Sequence, residues 1–63
     1  MDLIRKLEET ARALLELAQR VRAAADDVTD PALREEMLES ATGWERRAGE
    51  MLEAILRWKR EIN

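Results

Sequence analysis

Apolar residues in the first part of the chain recur in alternating steps of three and four: Ile4, Leu7, Ala11, Leu14, Ala18, Val21, Ala25 and Val28. That spacing keeps one stripe of a helix turned toward a neighbour, whereas a strand would alternate every second residue. The second part repeats it with Met37, Ala41, Trp44, Ala48, Met51, Ile55, Trp58 and Ile62. In heptad lettering, Ala or Ile occupies a, while Leu, Val, Met or Trp occupies d. Small residues facing large ones let two helices approach closely and interdigitate.

The two stripes are separated by turn formers at residues 26–31, where Asp30 is placed to cap a helix and Pro31 suits its first position. Glu35, Glu36 and Glu39 follow near the positive end of that helix's dipole, and Arg57, Lys59 and Arg60 lie near the negative end. Asp2 can cap the first helix, whereas Asp26 and Asp27 oppose its dipole and favour its release. The sequence therefore predicts one all-α domain over residues 1–63: helix 2–27, turn 28–30 and helix 31–62. Thr42 and Glu45 also match a capping box beside Gly43, which raises a third helix starting at Thr42 as an alternative. The stripe crosses that point in phase from Ala41 to Trp44 to Ala48, which favours a continuous helix.

Each stripe is wider than a single partner helix can cover. Leu3 and Leu17 at g and Leu15 at e widen the first, while Leu38 and Leu52 at e and Leu56 at b widen the second. A tight turn centred near Thr29 would set Ile55 against Leu3, leaving Trp58 and Ile62 on an overhang of about seven residues, on the order of 10 Å. A chain of 63 residues at best makes one marginal domain, so self-association is the expected remedy: a homodimeric four-helix bundle, with a higher homo-oligomer as the alternative. The expected interface takes Leu7, Leu14, Ala18 and Val21 from the first helix. From the second it takes Trp44, Ala48, Met51, Leu52, Ile55, Leu56, Trp58 and Ile62.

With no cysteine and no histidine, the chain lacks disulfides, thiolate or imidazole metal ligands and every nucleophile–histidine pair. No cofactor, no metal site and no enzymatic activity are expected. Its carboxylates fall at solvent-facing positions, and Glu8 with Arg12, Glu16 with Arg20 and Glu53 with Arg57 have the spacing of helix-surface ion pairs. Neither Lys6 nor Lys59 sits at an apolar position that would depress its pKa. A net charge of −3 argues against general affinity for nucleic acid. No apolar run approaches a membrane span and the start MDLIRKLEE lacks a secretory pattern, so a soluble, cytoplasmic chain is expected.

Length, helical hairpin and the layering of Ala11, Leu14 and Ala18 resemble the repressor-of-primer family. That resemblance implies an antiparallel four-helix bundle of two hairpins that binds RNA loops, with Arg5, Lys6, Arg12 and Arg20 as the basic stripe and Glu8, Glu9 and Glu16 interspersed. The regular heptads and the capped run Asp30-Pro31-Ala32-Leu33-Arg34-Glu35-Glu36 also resemble computationally designed helical bundles. The excess of arginine over lysine and the interior Gly43 and Gly49 depart from that style, and the segment DPALREEMLESATGWERRA is similar to stretches of small bacterial helical proteins. The expected function is structural self-assembly. The alternatives are docking of the apolar stripe on another protein and RNA binding.

Overall fold

The computed structural model describes residues 2–62 and forms a hairpin of two helices, α1 (Asp2–Ala25, 24 residues) and α2 (Pro31–Ile62, 32 residues). There is no strand among the described residues. α1 ends at Ala25, two residues before the expected boundary at Asp27. The amides of Asp26, Asp27 and Val28 donate to the carbonyls of Ala23, Ala24 and Ala25 at 3.2, 3.1 and 3.1 Å, tightening the exit into three-residue turns. Those bonds satisfy end carbonyls that the helix cannot, while Arg22 in the last turn offsets the two aspartates.

α2 opens as its sequence dictates. Asp30 Oδ1 accepts the amide of Ala32 at 3.1 Å, and the Asp30 carbonyl accepts the amide of Arg34 at 3.0 Å. Arg34 also reaches back, its Nε donating to the Val28 carbonyl at 3.2 Å and a terminal nitrogen at 2.6 Å, which ties the connection to the helix it enters. The first turn itself holds no acidic residue; Glu35 and Glu36 come one turn later. α2 then runs unbroken through Thr42 and Gly43. Thr42 Oγ1 donates to the Leu38 carbonyl at 3.0 Å and caps nothing, so the capping-box alternative is not realised.

The core consists of the a positions alone. Ala11, Ala18, Ala41 and Ala48 are 0% exposed, Ala25 is 1% and Ile55 is 3% exposed. Alanines at the seam let the helix axes approach toward the short end of the usual range of about 8–10 Å. The residues at d from Leu7 to Met51 are only partly buried, Trp58 is exposed, and no large side chain is fully enclosed among the described residues.

Two cross-helix ion pairs give the register: Arg22 stands opposite Glu45, and fourteen residues further along each helix Glu8 stands opposite Lys59. This corrects the overhang expected from a tight turn. Trp58 and Ile62 share a concavity with Leu3 and Ile4 of their own hairpin. The unpaired length lies at the other end, where residues 31–40 project past Ala25 and residues 31–36 are all exposed. The physical reason is the connection: residues 26–30 run on past the end of α1 alongside the start of α2 before the chain reverses, with Arg34 bound to the Val28 carbonyl.

The result measures 50 × 15 × 11 Å, one helix thick in its smallest dimension. Its radius of gyration of 14.8 Å compares with about 11 Å for a compact domain of this length. A stable domain needs a second layer over its apolar face, and this hairpin supplies one layer.

Candidate interaction surface

Because the a residues face across the seam, the helical step of about 100° per residue puts e on one side of it and d, then g, on the other. Antiparallel pairing sets e against e and d against d, so the hairpin has two unlike faces. On the e side, Arg22 grips Glu45 through Nε at 3.2 Å from Oε2 and through a terminal nitrogen on Oε1. The same nitrogen donates to Thr42 Oγ1 at 3.0 Å, and Lys59 Nζ reaches Glu8 Oε2 at 3.4 Å nearer the termini. The hydrogen bonds from Arg22 hold the Glu45 carboxyl below its ordinary range, against an opposing effect of partial burial and with the added attraction of the guanidinium charge. The same bond to Glu45 raises Arg22.

These cross-helix pairs replace the intrahelical ones expected from spacing. Among the described residues, Glu8–Arg12, Glu16–Arg20 and Glu53–Arg57 do not close to ion-pair distance, and Glu8 turns to Lys59 instead. Exposed pairs at that spacing contribute only about 0.3–0.5 kcal/mol, too little to hold long side chains against solvation.

On the opposite side, d and g form a nearly uncharged face. Leu7, Leu14 and Val21 of α1 and Trp44 and Met51 of α2 are half-buried along it, each covered by the seam on one edge only. Leu3, Leu17 and Leu33 at g and Trp58 at d are exposed, Trp58 at 43%. Arg47 and Glu61 are the only charged residues in its d and g columns. At the terminal end, Leu3, Ile4, Trp58, Glu61 and Ile62 line an open apolar cup of about 490 Å³.

The structure thus sorts the residues expected at an interface into four groups. Ala18, Ala48 and Ile55 are used up inside the hairpin seam. Leu7, Leu14, Val21, Trp44, Met51 and Trp58 lie on the d and g face. Leu52 and Leu56 fall on the opposite, ion-paired flank, where Leu52 lies in a shallow depression with Glu8, Arg12 and Leu15. Ile62 belongs to the terminal cup. Leu33 was not among the expected residues although it is 46% exposed on the same face; its signal was its heptad column, shared with Leu3 and Leu17.

The basic residues Arg5, Lys6, Arg12 and Arg20 are exposed at b and c of α1, turned away from the apolar face. Among the described residues no three acidic side chains converge where a cation would sit, and no helix is long and apolar enough to cross a membrane. Among the described residues no buried side-chain polar atom is left without a partner. No family model, curated protein or solved structure matches this chain.

Proposed function

We propose that this chain is a structural self-assembling hairpin that pairs with a second copy through the d and g face to make a four-helix bundle, with no catalytic role. One observation carries the reading: the hairpin is a single layer whose large apolar side chains are covered on one edge only. The accessible surface is 5154 Å². A compact monomer of this mass exposes about 4,200 Å². The surplus of about 1,000 Å² matches the ~800 Å² that each partner buries in a stable interface.

The d and g face offers leucines and tryptophans with few charges, the composition of an interface core. The regular layering and capped turn support kinship in style with designed bundles, and the lack of cysteine suits a soluble, cytoplasmic chain. Sedimentation equilibrium on the isolated chain tests the reading. Twice the 7.3 kDa chain mass is expected at micromolar concentration; a folded species that stays at the chain mass overturns it and favours docking on a different protein.

A further inference from the structure

The two ends of the hairpin differ in charge and in shape. The connection end carries six acidic residues from Asp26 to Glu39 against the single base Arg34. The terminal end, residues 2–9 and 56–62, carries five basic residues against four acidic ones. The connection end also projects the start of α2 past the end of α1, flanked only by residues 26–30 and with Leu33 uncovered, whereas the terminal end presents the open apolar cup around Trp58. One end has a helix without a groove, and the other has a groove without a helix.

Resting on the self-assembly reading above, we infer that a second copy docks with its connection end over the terminal end of the first, so that its residues 31–40 carry Leu33 onto the cup of Leu3, Trp58 and Ile62. The opposite docking, connection end on connection end, would bring the two acid-rich segments together, set cup against cup with Leu3 of one copy beside Glu61 of the other, and leave both copies of Leu33 without a cup to enter. In the inferred docking each acid-rich end meets a mildly basic one; these charges sit on the flanks and backs of the helices, so the contrast acts between whole ends, screened beyond a Debye length of about 8 Å, and not across the d and g face itself. The lengths agree. The midpoint of α2 falls between residues 46 and 47, so a two-fold axis there sets Leu33 level with residue 60 of the partner, next to Glu61. The like-charge approaches it creates, Arg47 near its own copy and Glu61 near the partner's acid-rich segment, involve solvent-exposed side chains, where such pairs act weakly.

Disulfide trapping tests the orientation, because the chain has no cysteine of its own. Leu33, Glu61 and Leu3 are all exposed, so single substitutions there leave the hairpin folded, which circular dichroism checks. A mixture of Leu33→Cys and Glu61→Cys chains should yield the mixed disulfide as its main product, and a mixture of Leu3→Cys and Glu61→Cys chains should yield little. The reverse pattern at dimer mass overturns the orientation and leaves self-assembly standing. A monomer mass by sedimentation for the same chains overturns both.

Discussion

Ala18 of α1 and Ala48 of α2 stand at the same level of the seam, and neither exposes any surface. There is no slack between the helices at that level. Ala48→Leu should therefore wedge them apart and cost about 1–3 kcal/mol, as overpacking does in closed cores.

Its chain neighbour should respond with the opposite sign. Gly49 has no atom within 4 Å of where a Cβ would sit, and its backbone is helical. Gly49→Ala should stabilise by about 0.5–1 kcal/mol through helix propensity alone. Urea unfolding of both variants at one fixed protein concentration checks the pair. A destabilised Gly49→Ala would mean that another helix packs closely on that back face.

The bond between Arg22 and Glu45 makes stability depend on pH. A carboxyl whose pKa is lower in the folded than in the unfolded chain stabilises fully above its unfolded value, and that contribution is lost as pH falls through the folded one. Thermal melts should show the wild type losing stability on acidification below the ordinary glutamate range, with a shallower loss in Glu45→Gln. Equal slopes for both would remove Glu45 as the cause.

At the start of α2, Asp30→Ala removes the acceptor for the Ala32 amide and should cost about 1 kcal/mol, while Asp30→Asn should keep most of it. Chemical denaturation that ranks the two variants together would show that the cap is not what holds this end.

Trp58 lines the terminal cup with Leu3 and Ile4 of its own α1 and leaves 43% of its surface open. Trp58→Ala should reduce the association constant by about thirtyfold, the scale of an interface anchor, with little change in helicity. Sedimentation showing an unchanged constant would end its role in assembly.

The seam, the cap and the continuity of α2 were legible in the sequence because each depends on neighbours a few residues away. Ala11 to Ala25 and Ala41 to Ile55 fall in one column each, and Asp30-Pro31 is a local signal. Register was not legible, since it depends on the path of residues 26–30, and that path is held by Arg34 on the Val28 carbonyl. For the same reason, Leu52 and Leu17 look equivalent on a widened stripe. Only the pairing of Arg22 with Glu45 tells which leucines share a flank with charges and which lie on the open face. The cross-helix grip of Lys59 on Glu8 was hidden too, because Glu8 has Arg12 one turn away as an equally plausible partner by spacing alone.

A seam toothed with alanine after alanine meshes almost as well when one helix slides by a heptad, because methyl meets methyl at either setting. The hairpin's alignment is therefore fastened from outside its core, by two charged clasps and a strapped connection. Cutting those fasteners would leave the helices paired but free to choose among offsets.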